Sequence, residues 1–378
     1  MLDTTTRSRL TGRGHPPGTP YLSVDGARMQ KNILEMAGVA RASGVALRPH
    51  VKTHKVPAIA RKQVAAGAVG ITVAKVSEAE VMAGGGLADI FVAYPLVTEE
   101  KIRRAIALSR KIRLIIGVDS LEGARRVSAV AGSEEHVLEV RLEVDTGLRR
   151  TGIPYEKAVA LASEVDSLDN VGLTGIYTYR GAVLDGSPTL DLEGAGLQEG
   201  ELMASVAGRI RERGISIRDV SLGSTPTARH AAGVAGVTEI RPGTYVFYDR
   251  MQARLGACSF EDCAAEVVAT VVSRPTGDLA VIDGGSKTFA TDVQPGGNPL
   301  NLAGFGEVVG HPEAVLERLT EEHGMISLRW VSDLRVGDTL RIIPNHVCST
   351  VNLHDTLYLA GEDGILEQMP VAARGKVW

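Results

Sequence analysis

Short runs of apolar residues recur along the first two thirds of the chain, separated by segments with helical periodicity. A strand that is buried on both faces carries such an uninterrupted run, whereas a strand with one wet face alternates between apolar and polar residues. The pattern therefore predicts parallel strands covered by helices. The strands are expected at residues 45–51, 69–76, 89–96, 113–120, 136–147, 171–181, 219–224 and 239–249, and the helices at 57–68, 77–86, 98–111, 121–132, 155–168 and 201–214.

About eight strand-and-helix units fit into this stretch, which favours a closed (β/α)8 TIM barrel over an open sheet. After residue 255 the pattern changes to β-rich runs separated by Pro/Gly turns, at 264–285 and 330–347, as expected for antiparallel hairpins. A further strand at 20–33 precedes the first helix and could return to that region. The prediction is an α/β protein with a barrel over 21–255 and a β domain formed by 1–20 and 256–378.

Composition excludes several classes of function. Apolar residues make up 44% of the 378 residues and charged residues 23%, which is typical of a soluble globular protein. The formal net charge of -4 provides no basic field for nucleic acid or an anionic membrane. Since the sequence also shows no membrane span, no secretory signal and too few cysteines for a disulfide framework, it predicts a cytoplasmic protein with a small-molecule partner.

A cluster of basic residues follows the first predicted barrel strand, in the stretch Arg48–Lys55. Active sites of barrel enzymes lie at this end of the strands, where the connecting loops converge. A lysine held there can be desolvated and placed near other cations, which lowers its pKa and exposes a nucleophilic amine. The alternative, a solvated basic loop, fits the pattern about as well.

This stretch, RPHVKTHK, resembles the pyridoxal 5'-phosphate (PLP) lysine signature of the metal-activated D-threonine aldolase and D-serine dehydratase family. That family has the alanine-racemase-like fold, also called fold type III, with a PLP-binding barrel and a β domain. The resemblance implies that Lys52, two residues after His50, forms the Schiff base with PLP, and that Lys55 does not. It also implies a homodimer whose active sites borrow residues from the partner.

The resemblance extends to the strand ends that would surround PLP. The segment 145–152, DTGLRRTG, implies that Arg150 lies beside the cofactor ring, although such a stretch can also be a simple turn. The segment 175–181, GIYTYRG, implies that Tyr179 borders the cofactor, and the alternative is a buried core tyrosine. Two late strand ends resemble the phosphate-binding loops of the family, although glycines there can also serve only as turns. Their candidate residues are Gly223, Ser224, Thr225, Gly243, Thr244 and Tyr245.

A possible metal site follows near the end of the chain. His346 and Cys348 are two residues apart, so on an extended segment their side chains face the same way. An imidazole and a thiolate favour zinc over magnesium or calcium, whereas a buried cysteine beside a structural histidine is the alternative. The passage resembles the metal motif of the same family. That implies a divalent ion beside PLP that binds the substrate hydroxyl, with zinc favoured and manganese or magnesium as alternatives.

The resemblance implies a lyase for D-β-hydroxy-α-amino acids. The leading hypothesis is a D-threonine aldolase, which would form glycine and acetaldehyde, and the alternative is a zinc-dependent D-serine ammonia-lyase. An amino-acid racemase and a non-enzymatic PLP-binding protein rank below them. The base for the substrate hydroxyl is open, because no histidine occurs between His136 and His230. His50, His54 and a metal-bound hydroxide are the candidates.

Overall fold

The computed structural model describes residues 18–328, 330, 333–361 and 366–378. Residues 1–17, which were predicted to belong to the β domain, lie outside the described residues. The strands are β1 (Tyr21–Asp25), β2 (Ala46–Leu47), β3 (Ile71–Val73), β4 (Asp89–Pro95), β5 (Arg113–Val118), β6 (Leu138–Asp145), β7 (Ile153–Pro154), β8 (Val171–Tyr177), β9 (Val183–Leu184), β10 (Ser187–Pro188), β11 (Asp219–Leu222), β12 (Glu239–Ile240), β13 (Ala265–Thr276), β14 (Leu279–Ile282), β15 (Gly306–Val308), β16 (Ala314–Leu319), β17 (Gly324–Leu328), β18 (Thr339–Pro344), β19 (Thr356–Ala360) and β20 (Leu366–Pro370). The helices are α1 (Gly26–Ala42), α2 (Pro57–Ala65), α3 (Val76–Gly84), α4 (Glu99–Ser109), α5 (Leu121–Ser133), α6 (Ala158–Asp166), α7 (Leu192–Arg211), α8 (Ala228–Ala231), α9 (Arg250–Leu255) and α10 (Val347–Val351).

Eight parallel strands form the barrel path of the first sheet, in the order β2-β12-β11-β8-β6-β5-β4-β3, and the two-residue β7 pairs with β6 outside this path. The sheet curls until β3 returns beside β2, where His50 and Thr72 form a single parallel bridge. The Thr72 N–H donates to the Pro49 carbonyl at 2.8 Å across this seam. Every barrel strand predicted from the sequence is present, although each is shorter than its apolar run, so the predicted fold class is confirmed.

The barrel strands form because their residues are buried on both faces. In β5, Leu114 and Ile116 pack into the large core between strands and helices, while Ile115 points inward to Phe91 and Tyr177. Side chains on alternate faces of one strand thus belong to different cores, as the pleat requires. This explains why the sequence carries continuous apolar runs instead of alternating ones.

Charged residues fill the rest of the barrel interior. Glu239 bridges two fully buried arginines: it accepts from Arg141 at 2.6 Å and from Arg48 at 2.7 Å. Burial by itself raises the pKa of Glu239, but the two guanidinium groups outweigh it and lower the pKa to about 2. Because losing one partner of a buried ion pair costs about 3–5 kcal/mol, this network holds the strand ends beneath the site rigidly.

The strand predicted at 20–33 is a strand only over Tyr21–Asp25, since α1 begins at Gly26. Two further predicted elements differ from the observed ones. Helix α7 begins at Leu192, nine residues before the predicted start, because Asp191 caps it by accepting the Gly194 N–H at 2.8 Å. The run at 239–249 is a strand only over Glu239–Ile240, and a short 3-10 helix, Thr244–Val246, follows. Glycines in α7 and a Pro-Gly pair in the run at 239–249 interrupt the hydrophobic pattern. Periodicity alone therefore does not locate these two boundaries.

The second sheet forms the predicted β domain. Its order is β14-β17-β16-β15-β18-β13-β1-β19-β20, and β14 also pairs with β13, which closes six of its strands into a small barrel. Strand β1 pairs with β13 antiparallel and with β19 parallel. The prediction that the N-terminal strand joins this domain is therefore confirmed. The pairing favours a domain boundary after Asp25 instead of the predicted one before Tyr21.

The β domain reaches the barrel through α10, which contacts the 3-10 helix Val51–Thr53 that follows β2. Residues from both domains therefore meet at the carboxyl ends of the barrel strands, where barrel enzymes bind their substrates. None of the helices in the described part of the chain is both long and apolar enough to cross a bilayer.

Candidate active site

A cavity of about 660 Å³ lies between the carboxyl ends of the barrel strands and the β domain. Ten of the predicted site residues line it, and they come from elements far apart in the sequence. They are His50 and Lys52 after β2, Arg150 after β6, Tyr179 after β8, Ser224 and Thr225 after β11, Gly243 and Thr244 after β12, and His346 and Cys348 in the β domain.

Lys52 lies in the 3-10 helix that follows β2, so its backbone is held at the cavity floor. Its Nζ is 5.4 Å from the centroid of the Tyr179 ring, and the Arg150 guanidinium is 5.1 Å from the same centroid. Burial lowers the pKa of Lys52, and the Arg150 charge adds to this effect while Cys348 opposes it. The side chain therefore offers a free amine at lower pH than an ordinary lysine does.

The two candidate histidines after β2 have different surroundings. His50 lines the cavity, and its Nδ1 accepts the Lys52 backbone N–H at 3.4 Å. Burial lowers its pKa well below the ordinary value, so the ring is neutral and presents Nε2–H as a donor. His54 is fully buried away from the cavity, accepting from the Val56 N–H and donating to Gln63. Its placement supports a packing role, contrary to the prediction that it could act as the base.

The loops after β11 and β12 form a cradle for an anion. The backbone N–H groups of Thr225, Gly243 and Thr244 have no acceptor among the described residues, although these residues line the cavity. Gly243 is required there, since a Cβ would lie 2.8 Å from the His50 carbonyl oxygen. Unpaired N–H groups at such strand ends are suited to binding a phosphate.

Two other predicted phosphate residues do not line the cavity. Gly223 has a φ of +86° and forms the turn that leads into Ser224. Tyr245 is fully buried, and its hydroxyl accepts from the Gln63 amide at 2.9 Å. Both residues therefore shape the loops from behind the cavity lining, so the structure does not place them among the lining residues as predicted.

His346 and Cys348 lie side by side at the start of α10. His346 is the N-cap residue and Cys348 is in the first turn, so the pair is not on an extended segment as the sequence reasoning assumed. The Cys348 sulfur is 3.2 Å from the Thr53 hydroxyl and 3.6 Å from the Thr244 hydroxyl, which ties it to the floor of the barrel site. The pair thus lies next to Lys52 and the anion cradle.

The donor chemistry of this pair fits a soft divalent ion. Burial opposes charge on both groups, but their mutual attraction lowers the pKa of Cys348 and raises the pKa of His346 to about 11. Cys348 is therefore available as a thiolate, while a metal ion must displace a proton from His346. No group of three or more ligating side chains is arranged for a metal in the described ranges. Two protein ligands would leave coordination positions for water or substrate.

The comparisons with known proteins agree with this architecture. The model of the alanine racemase N-terminal domain matches residues 24–251, which is more than half of the chain. The chain belongs to this family. A second family model, the putative serine dehydratase domain, matches residues 264–360 of the same chain.

Several relatives share nearly the full length. D-threo-3-hydroxyaspartate dehydratase from Delftia sp. is 33% identical over 350 residues, with 88% of this chain and 91% of the relative covered. D-threonine aldolase from Arthrobacter sp. is 32% identical over 365 residues, covering 94% and 93%. The crystal structure of D-threonine aldolase from Filomicrobium marinum has a TM-score of 0.85 at 30% identity, with 96% of each chain covered.

These matches confirm the predicted resemblance, the alanine-racemase-like fold and the assignment to a PLP-dependent family of lyases. They do not distinguish an aldolase reaction from a dehydratase reaction, since a dehydratase and an aldolase are almost equally similar to this chain. A cysteine-to-alanine variant of a D-threo-3-hydroxyaspartate dehydratase has been solved in a metal-free form, with a TM-score of 0.86 at 32% identity to this chain.

The sequence reasoning did not identify two residues of the site, Asp292 and Arg241. Asp292 accepts from His346 Nδ1 at 2.6 Å and from the Ser349 hydroxyl at 3.0 Å. Arg241, which lines the cavity, is almost fully buried and donates to the Ser221 hydroxyl at 2.8 Å. Arg241 lies inside a segment already singled out by resemblance, whereas no local pattern marks Asp292.

Proposed function

We propose that the protein is a PLP-dependent, divalent-metal-activated lyase acting on D-β-hydroxy-α-amino acids. The observation that carries the proposal is the meeting of three features in one cavity: a lysine with a lowered pKa, an anion cradle and a histidine–cysteine pair. The relatives named above support this class of substrate. Cleavage of the Cα–Cβ bond to glycine and an aldehyde, as in a D-threonine aldolase, is the leading reaction.

The residues of the cavity fit PLP and a metal. Lys52 would hold the PLP aldehyde carbon, and the N–H groups of Thr225, Gly243 and Thr244 would bind its phosphate. When bound, PLP supplies an electron sink for negative charge on the substrate Cα, and a zinc or similar ion at His346 and Cys348 supplies a Lewis acid for the β-hydroxyl.

The remaining chemistry concerns protons. Lys52 Nζ, as a free amine, can remove a proton from the substrate Cα, and burial favours this neutral form by lowering the pKa of the lysine. His50 donates from Nε2 in its present tautomer, so it can bind a substrate oxygen but does not accept a proton there. The identity of the group that accepts the proton of the β-hydroxyl thus remains a prediction.

One observation favours a second candidate function, a zinc-dependent D-serine ammonia-lyase. That reaction begins by removing the Cα proton, for which Lys52 is suited, and it needs no base at the β-hydroxyl. The thiolate ligand Cys348 also matches the zinc-dependent arrangement implied by the family resemblance.

The deciding experiment incubates the purified protein with PLP, zinc and either D-threonine or D-serine. Glycine and acetaldehyde from D-threonine would support the aldolase, and pyruvate and ammonia from D-serine the ammonia-lyase. L-threonine and L-serine serve as matched controls. Appearance of the enantiomer alone would support a racemase, and the absence of any product from these two amino acids and from D-threo-3-hydroxyaspartate would contradict the proposal.

PLP uptake by the apoprotein should depend on pH through Lys52. Only the free amine attacks the aldehyde, and its lowered pKa populates that form below the ordinary lysine value of 10.5. The rate of uptake should therefore rise with pH and level off below 10.5, as followed by absorbance. Nα-acetyl-lysine treated in the same way corrects for titration of PLP itself. A plateau no lower than that of Nα-acetyl-lysine would contradict the assignment.

Asp292→Asn should weaken metal binding by about 10- to 100-fold, because the carboxylate orients the His346 ring through Nδ1. Competition between the protein and a chelator for zinc measures the affinity. Asp169→Asn makes the same substitution at an exposed position away from the cavity and should have no effect. Equal zinc affinity in both variants would show that Asp292 does not support the metal ligand His346.

The homodimer that the family resemblance implies stays a prediction.

A further inference from the structure

The cavity contains more positive charge than PLP and a metal would use. Among the described residues, three lysines besides Lys52 line it, together with a single acidic side chain, Glu78. Lys55 is already paired, since its Nζ is 3.4 Å from Glu78 and 2.8 Å from the Asn352 amide oxygen. Lys75 and Lys376 have no acidic partner in the part of the chain that the structure describes. Two lysines therefore line the cavity without an ion-pair partner among the described residues.

These two lysines are not positioned for the phosphate. Lys75 follows β3, which lies beside β2 on the side opposite β12. The anion cradle is on β11 and β12, and Lys52 after β2 stands between. An anion bound by Lys75 and Lys376 would therefore lie across Lys52 from the phosphate.

Lys376 lies in the segment 371–378, which is hydrogen-bonded to the barrel near both of its ends. Residues 371–378 begin with a buried anchor, since the Ala373 N–H donates to the Lys55 carbonyl at 3.1 Å. At the other end, the Ser77 N–H and hydroxyl donate to a main-chain oxygen of Trp378 at 3.2 and 2.5 Å. Because Ser77 is two residues after Lys75, these hydrogen bonds bring both lysines to one rim of the cavity.

Aromatic rings hold the two ammonium groups without neutralising them. Lys75 Nζ is 3.5 Å from the centroid of the Tyr94 ring, and Lys376 Nζ is 4.9 Å from that of Trp378. A ring face attracts a cation more weakly than a carboxylate does, so both groups retain their capacity to bind an anion. Two ammonium groups at one rim suit a carboxylate better than an apolar or hydroxyl group.

We propose that Lys75 and Lys376 bind a carboxylate on the substrate side chain. The preferred substrates are then D-β-hydroxy amino acids with an acidic side chain, such as 3-hydroxy-D-aspartate, in preference to D-threonine or D-serine. This inference rests on the proposed function, since it assigns the substrate class of the same site. The α-carboxylate is common to all these substrates, so binding of that group would give no such preference.

The test compares kcat/KM for D-threo-3-hydroxyaspartate and D-threonine in the wild type, Lys376→Gln and Lys75→Gln. The wild type should prefer the dicarboxylate, and each variant should lower the ratio of the two values by about 10- to 100-fold, mainly through KM. Lys376→Arg keeps the charge and should retain most of the preference. Lys62→Gln removes an exposed cation of α2 outside the cavity and should leave the ratio unchanged.

Equal losses for both substrates would assign the lysines to the α-carboxylate or to folding and overturn the inference. A wild type that turns over D-threonine without preferring the dicarboxylate would overturn the inference alone, while absence of turnover of both would overturn the proposed function. Calorimetric binding of the unreactive acids D-malate and D-lactate separates these failures. D-malate should bind the wild type at least about 10-fold more tightly than D-lactate, and Lys376→Gln should lose this difference.

Discussion

Lys52→Ala is expected to abolish the absorbance near ~410–430 nm that marks PLP linked to a lysine, and to reduce turnover by about 10⁴-fold. The substitution removes both the amine that holds the cofactor and the group positioned to take the Cα proton. Absorbance spectra, borohydride reduction and peptide mapping of the reduced protein provide the measurements.

Lys55→Ala is the matched control for this experiment. Lys55 also lines the cavity and is only three residues away, but its ammonium group is paired with Glu78. The Lys55 variant should therefore keep the absorbance. A reducible adduct that persists in Lys52→Ala, or that maps to Lys55 in the unmodified sequence, would refute the assignment.

Cys348→Ala should separate cofactor binding from turnover. The variant should keep the PLP absorbance, because Lys52 and the anion cradle do not include the thiolate, but lose stoichiometric zinc. Turnover should fall by about 10²- to 10⁴-fold, because the β-hydroxyl then has no Lewis acid. Treatment of the unmodified protein with EDTA should reproduce this result, and Cys348→Asp should shift the preference toward manganese.

Metal analysis by mass spectrometry and activity assays check this prediction. Cys258→Ala is the control, since Cys258 is a free cysteine that does not line the cavity. Full activity in an EDTA-treated protein that contains no stoichiometric metal would make His346 and Cys348 structural residues. A racemase would then become the stronger interpretation.

The barrel could be predicted from the sequence because its signal is local. A strand such as β5 is buried on both faces, so five consecutive positions, 114–118, carry the requirement for apolar side chains or small residues. The motif around Lys52 is local for a similar reason, since the strand end and the short helix after it fix the lysine within a few residues. Most of the candidate cofactor residues occur in such strand-end segments.

The choice between His50 and His54 required the tertiary structure. The two residues are four positions apart in the same basic stretch, and either could have faced the cavity. The 3-10 helix Val51–Thr53 turns the chain between them, and His54 enters the core against Phe247. Contacts with Gln63 of α2 and with Phe247, which is distant in sequence, decide the outcome.

The sequence by itself therefore determined the class of fold, the strand ends and the family resemblance, because each depends on contiguous residues. The tertiary structure alone decided that Asp292 supports His346, across 54 residues, and that the segment 371–378 brings Lys376 to the rim beside Lys75. Such contacts leave no periodic or local pattern, since single hydrogen bonds between distant loops depend on how the two sheets close around the cavity.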